Sequence, residues 1–489
     1  MEQKQPILEI IRENLQNGEL PASFSLPKED TDPNRVRWAD GALDGVGIYH
    51  MRAPEITEDN MKLVAEAFSP LDDYAHFTGK MKEFFAVITP IRAIDAIQHY
   101  ILEHAEELEP NQVHHLAVEC QHSADTDLIK LGLIIVEIFN EPDDFLKDII
   151  RTLGLSDEFT IFTVFNMMRW TDGNAEVFAL AKKVHGWGRI HAVERLEPET
   201  QEIRDWLLAE GIRNDVTEDY SALDVYQKTD IGGMLRSNVT DMQLDQIACV
   251  LNAMLDEGPV RGISALPEQE AKEMLSGFLD QTAAHTMTLN ICNLILRLLH
   301  DERFAAISER CKAILDSYSC RKVIEQALET GHGIRCAQET GIPYEEKILA
   351  HMKADFDSGY ANCNYLLTNE AYREQVLDLF RTALPLDSMA GAPTENNGYS
   401  KEYANEHKLE YIVQGLEKYP LCGTDLVIAG LRSPIVTCRS IALRTVSEWC
   451  KAKECTLSGL SDELSQAVEQ LKAAEVSENI KKRIEEYGF

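Results

Sequence analysis

Thr240-Asp-Met-Gln243-Leu244-Asp-Gln-Ile247-Ala248-Cys-Val-Leu251-Asn-Ala-Met254-Leu255-Asp-Glu-Gly258-Pro259 carries the signal that decides the fold class. Leu244, Ile247, Ala248, Leu251, Met254 and Leu255 recur at the three/four spacing that lines one face of a helix. Thr240 and Gln243 have the form of a capping box, each side chain satisfying a backbone N–H that the first turn leaves over. Gly258-Pro259 ends the run, because neither residue continues a helix.

The same rhythm extends in both directions. Met1 to Leu15 mixes Glu2, Lys4, Glu9 and Arg12 into an amphipathic helix. Pro198, Pro267 and Pro343 each precede an acidic run and then an apolar stripe. That pattern predicts proline at the first helical position, with acids at the positive end of the helix dipole. Phe159-Thr-Ile-Phe-Thr-Val-Phe165 has strand-like composition, yet Phe159, Phe162, Phe165 and Met168 step by three, so a buried helix is expected. Three segments read as irregular: 17–55 around Trp38, 212–240, and 385–404 with Gly391, Pro393, Asn396, Asn397 and Gly398.

The expected architecture is all-α, an α-α superhelix of stacked antiparallel helix pairs with an irregular N-terminal segment. Its expected divisions are 1–55 (helix and irregular segment), 56–211 (first helical array), 212–384 (central array), 385–404 (loop insertion) and 405–489 (repeat and capping helices). At 489 residues the chain exceeds one compact core, and 44% apolar with 26% charged residues is ordinary globular composition.

Against 82 acidic side chains stand 47 basic ones, a net charge of −35. Such a surface repels phosphate backbones and anionic membranes, so a basic partner is expected rather than nucleic acid. Eleven cysteines without a C-x-x-C, several of them (Cys249, Cys292, Cys311, Cys438) in apolar helical patterns, point to free thiols in a reducing compartment. The start is unlike a secretory signal. The most apolar stretches, Leu128 to Phe139 and Leu289 to Leu299, are broken by Lys130, Glu137 and Arg297. A cytoplasmic location is the expectation.

One ungapped internal match joins Gly186-Trp-Gly-Arg-Ile-His-Ala192-Val-Glu194 to Gly331-His-Gly-Ile-Arg-Cys-Ala337-Gln-Glu339, at an offset of 145 residues. Ser433-Pro-Ile-Val-Thr-Cys-Arg439-Ser-Ile-Ala442-Leu-Arg-Thr-Val446 repeats the spacing of Arg189, Ala192 and Leu196 at an offset of 250. Both offsets lie near multiples of about 36, within the range of helical repeats. A helix pair cannot bury its own stripe, small residues permit close approach of the next pair, and an arginine can tie one turn to another.

Ser433 to Val446 resembles the second helix of a HEAT repeat, whose pattern runs Asp/Ser-Pro, a gap, Arg, then Ala and Leu. Arg189 to Leu196 matches in part, and the copy at Gly331 places Ile334 where arginine is expected. The resemblance implies an armadillo-type α-solenoid with a concave binding face. Some HEAT-like bacterial proteins resemble DNA glycosylases that grip damaged DNA with Trp, Arg and an acidic residue; here that would fall on Arg169 to Arg213. The run Gly-Trp-Gly-Arg-Ile-His-Ala-Val-Glu-Arg-Leu from Gly186 is also similar to bacterial proteins carrying a limonene hydroxylase label. No haem-cysteine motif or Rossmann fingerprint accompanies it.

The densest ligand cluster is His115, Glu119 and His122 on one helix face, with the Glu-x-x-His spacing of carboxylate-bridged metal sites. Its only counterpart, Glu329-Thr-Gly-His332, is spoiled by a glycine, so no metal or other cofactor is expected. Asp30-Thr-Asp32-Pro-Asn34 opens like a calcium loop, but Arg35 occupies the glycine position and Gly41 the final glutamate position. Gly186-Trp-Gly188 and Gly45-Val-Gly47 lack the preceding strand of a phosphate loop.

The stretch from Arg169 to Arg213 is the least acidic part of the chain, and Trp170, Lys182, Lys183, Trp187, Arg189, Arg195 and Trp206 are the candidate binding residues. Trp and Arg concentrate binding energy at interfaces and can stack on bases. They also build cores, with arginines paired to Glu194, Glu197, Glu199, Glu202 and Asp205. The function read from the sequence is a non-catalytic scaffold for a basic protein or peptide.

Overall fold

A computed structural model describes residues 4–27, 38–139, 141–258, 260–399 and 401–489. Helices make up most of it, and among the described residues the only β-type pairing is an isolated bridge between Gln16 and Glu19. The calcium-like stretch at Asp30, Asp32, Asn34 and Arg35 lies outside the described residues, as does Pro259.

The deciding stretch forms the helix Asp241–Met254. Thr240 Oγ1 accepts from Gln243 N at 3.2 Å, and Gln243 Oε1 accepts from Thr240 N at 3.0 Å, which is the reciprocal capping box. Leu244, Ile247, Ala248, Leu251 and Met254 are buried. The phenylalanine run is the helix Thr160–Met167, with Phe159 and Phe162 in the core. Ile7–Asn14 is helical too, burying Ile7, Leu8 and Ile11.

The proline expectation needs correction. Pro267 is the N-cap of Glu268–Gln281, whereas Tyr344 caps the helix after Pro343 and Thr200 the helix after Pro198. Pro90 and Pro110 are the prolines at helix starts proper.

Two segments read as irregular contain helices. Ala42–His50 lies within 17–55, and Asp219–Lys228 and Ile231–Leu235 lie within 212–240. Gly41, Gly45 and Gly47 dilute the first pattern, and its buried residues are Ala42, Asp44, Gly45 and Gly47 rather than large apolar ones. Tertiary contacts select this helix over its weak local propensity. Among the described residues of the 385–404 segment, all is loop but the helical turns Leu386–Met389 and Lys401–Tyr403 and Ala404, which opens the Ala404–Gly415 helix. It is tied down: Gly391 N–H donates to Arg432 O at 3.0 Å, and Asn396 O accepts from Val436 N at 2.9 Å.

Packing divides the chain into two compact units, one ending at Thr286 and one starting at Met287. In the first, Thr160–Met167 packs against Thr126–Val136, Asp144–Gly154, Gly173–Ala181 and Trp187–Arg195, all within two helices of it along the chain. Ile7–Asn14 departs from this neighbour rule and packs on Asp144–Gly154. In the second unit, Leu289–His300 packs against Ser308–Leu315, Tyr318–Ala327 and Ile334–Thr340. Val436–Lys453 does the same with Ala404–Gly415 and Thr424–Leu431.

The 250-residue match has a shared local geometry. Arg189 Nε donates to Val184 O at 2.7 Å, and Arg439 Nη1 donates to Pro434 O at 2.6 Å, each reaching back five residues from inside the protein. Ala192 and Ala442 are both fully buried. The 145-residue match diverges. Gly331 and Gly333 take positive φ of 77° and 75°, a conformation that suits glycine, while Gly186 sits at −94° and caps a helix that begins at Trp187.

Candidate functional site

In the first unit the Gly186 to Arg195 segment packs against the Ala42–His50 helix, with Val216 and Tyr220 beside it. Gly45 leaves the surface of the Ala42–His50 helix bare, and the Trp187 indole fills that space; a Cβ on Gly45 would lie 2.1 Å from Trp187 Cε3. Around the indole stand Tyr49 (ring centroids 6.1 Å), Tyr220 (4.9 Å) and His191 (6.1 Å). His191 is buried with neither ring nitrogen hydrogen-bonded, and its Nδ1 stops 3.8 Å from Glu194 Oε2. Tyr49 donates to Glu194 Oε2 at 3.3 Å, and burial with that carboxylate holds the phenol well above its ordinary pKa.

Beside this aromatic group sits a buried ionic one. Lys130 Nζ is 2.7 Å from Asp44 and 2.6 Å from Glu158. Burial alone would depress the lysine, but the two carboxylates outweigh it and keep the ammonium charged. Asp127 nearby is pushed up to about 6, chiefly by burial. Asp157 accepts from Gly186 N at 3.0 Å and Gly188 N at 3.1 Å, yet burial still raises it to about 7. Cβ atoms on Gly186 and Gly188 would come within 2.3 and 2.4 Å of that carboxylate. The Gly-x-Gly is therefore a cradle for the protein's own Asp157 at a helix start.

The candidate binding residues separate into different contacts. Trp170 and Trp187 are buried, and Arg189 is buried under Trp206, 5.1 Å from guanidinium carbon to ring centroid. Lys147 and Arg151 flank the Trp170 ring at 5.1 and 5.5 Å. Lys182 is exposed over Phe178, while Arg195 lies over Phe165 and pairs with Glu194 at 3.3 Å. Lys183 lines a small crevice with Ser156, Asp157, His185 and Asp215. His115, Glu119 and His122 are all exposed; His115 is 3.7 Å from Glu119, and His122 Nδ1 bonds the Val118 carbonyl instead. Among the described residues no three His, Cys, Asp or Glu are grouped to hold a metal ion.

An open cleft of about 540 Å³ lies elsewhere in the first unit. One wall is Tyr226 to Arg236, and the other is Ala265 to Gly277, the turn before the Glu268–Gln281 helix and its first ten residues. Leu235, Leu266 and Met274 supply apolar surface, while Asp230, Glu270 and Glu273 bring exposed carboxylates against one guanidinium, Arg236. Tyr226 donates to Glu270 Oε1 at 3.2 Å, Gln269 holds Glu273 at 2.7 Å, and Asp230 caps the Ile231–Leu235 helix through Gly233 N at 3.0 Å. The carboxylates are thus positioned before anything binds.

No family model matches the chain, and no curated protein is detectably similar to it. The cleft residues escaped the sequence reading because its walls lie about forty residues apart and meet only through the fold. Asp230-Ile-Gly-Gly233, an N-cap signal inside a segment read as irregular, was the available sign.

Proposed function

We propose that this protein is a HEAT-like helical scaffold that binds a basic segment of a partner protein or peptide and works by binding rather than catalysis. The observation that carries the reading is the cleft between Tyr226–Arg236 and Ala265–Gly277, where three fixed carboxylates surround an apolar floor. A lysine or arginine side chain suits that surface twice over, its stem lying on Leu266 and Met274 and its charge meeting Glu270 and Glu273. The overall charge of −35 draws a basic partner from solution and repels nucleic acid. Packing between neighbouring helices and the shared back-bonding of Arg189 and Arg439 support the repeat reading.

The test is titration of a fluorescent oligolysine peptide into the full chain. Exposed ion pairs contribute up to about 1 kcal/mol each, so Glu270→Lys with Glu273→Lys should weaken binding roughly 5- to 30-fold. Glu106→Lys with Glu107→Lys makes the same charge change at other exposed positions and should weaken it far less. Equal losses in the two double variants would reduce the interaction to bulk charge and defeat the reading.

A further inference from the structure

Two partly exposed cysteines share the end of the Val436–Lys453 helix. There the chain turns through Glu454, a non-glycine residue in the left-handed region at φ 51°. Cys455 N–H donates to Cys450 O at 3.1 Å, and Glu454 N–H donates to Lys451 O at 3.2 Å. This bond pair is the Schellman closure, which brings the side chains three residues inside and two residues beyond the helix end into contact. Hydrophobic residues ordinarily fill both positions. Here both are thiols, and they line one surface depression with Lys451, Glu454, Tyr487 and Phe489.

We propose that Cys450 and Cys455 are a redox-active pair that closes to an intramolecular disulfide on reaction with a small disulfide such as oxidised glutathione. The Cys455 thiolate attacks one sulfur of the oxidant, forming a mixed disulfide and releasing one glutathione thiolate. The Cys450 thiolate then attacks the Cys455 sulfur and expels the second glutathione. The two cysteines lose two electrons and two protons, and the oxidant leaves as two thiols. Burial pushes the Cys450 thiol up, with Cys455 beside it adding to the rise, which suits Cys450 to the second step. A disulfide spans Cα atoms about 4.4 to 6.8 Å apart, a reach that the hydrogen-bonded turn favours. Of the other nine cysteines, seven are buried, and Cys249 and Cys422 serve as partly exposed comparators.

The experiment incubates the native full chain with oxidised glutathione, alkylates the remaining thiols, and maps tryptic peptides by mass. Trypsin cuts after Lys451 and Lys453, so the two cysteines fall on different peptides and a bond between them appears as a cross-linked pair. The expected result is that cross-link in the wild-type chain, absent from Cys450→Ser and Cys455→Ser, with Cys455 of the Cys450→Ser variant carrying glutathione. A glutathione adduct left on either cysteine of the wild type without a cross-link overturns the proposal. So does full alkylation of both, whether or not Cys249 or Cys422 has reacted.

Discussion

Arg439 and Glu475 meet through two hydrogen bonds, Nε to Oε2 at 2.8 Å and Nη2 to Oε1 at 3.0 Å, with neither side chain exposed to solvent. The remaining guanidinium N–H groups donate to the carbonyls of Ser433, Pro434 and Thr394. Glu475 Oε1 also accepts from the backbone of Val476 and Ser477. The pair joins the start of one helix, the 385–404 loop and the turn before Glu478–Glu486, so the arginine of the repeat-like motif ties three segments together.

Removing one partner of such a pair strands the other charge. Glu475→Ala is therefore expected to cost about 3 to 5 kcal/mol in denaturant unfolding. Arg439→Met combined with Glu475→Leu should recover much of that loss, since an apolar pair leaves no charge behind. A double variant as unstable as the single one would contradict this account.

Lys130 sits between Asp44 and Glu158 and is the buried anchor of the Ala42–His50 helix. Lys130→Met leaves two carboxylates facing each other without a cation, so a loss of about 3 to 5 kcal/mol is expected. Limited proteolysis should then cut within 38–55 much faster than in the wild-type chain. Unchanged cleavage there would show that other contacts hold the helix.

Two glycines predict opposite signs. Gly45→Ala places a methyl on the Trp187 indole and should cost about 1 to 3 kcal/mol, with altered tryptophan fluorescence. Gly79 lies on the exposed side of the Tyr74–Phe85 helix, and a Cβ added there would meet nothing within 4 Å. Gly79→Ala should stabilise by about 0.5 to 1 kcal/mol. Thermal melts of the two variants check both.

Asp157 gives a pH signature. Its folded pKa of about 7 lies above the ordinary value of 3.8, so folding takes up a proton between them. The associated stability is fully present below about pH 4 and is lost as pH rises through about 7. The wild-type minus Asp157→Asn difference in unfolding free energy should therefore shift against the wild type by a few kcal/mol, as an order of magnitude, across that window. A flat difference would mean that Asp157 titrates normally.

How much of this was legible depended on whether the cause was local. The Thr240–Gln243 capping box and the three-residue step from Phe159 to Met168 are local, and both helices form where the pattern put them. The Ala42–His50 helix has nonlocal causes, an indole from Trp187 and an ammonium from Lys130, so its glycines read as loop. Lys130 itself was visible as a lone charge in an apolar run. The candidate Trp and Arg residues were legible as a cluster in sequence, but helical geometry sends Trp187 and Arg189 into packing and leaves Lys182 at the surface. The Asp230, Glu270 and Glu273 cleft exists only after two distant stretches are brought together.

The cleft assignment is tested most directly by hydrogen–deuterium exchange of the full chain with and without the oligolysine peptide. Slowed exchange concentrated in 226–236 and 265–277, and lost in the Glu270→Lys, Glu273→Lys double variant, is the predicted result. Protection spread evenly over the acidic surface, or centred on other segments, would contradict it.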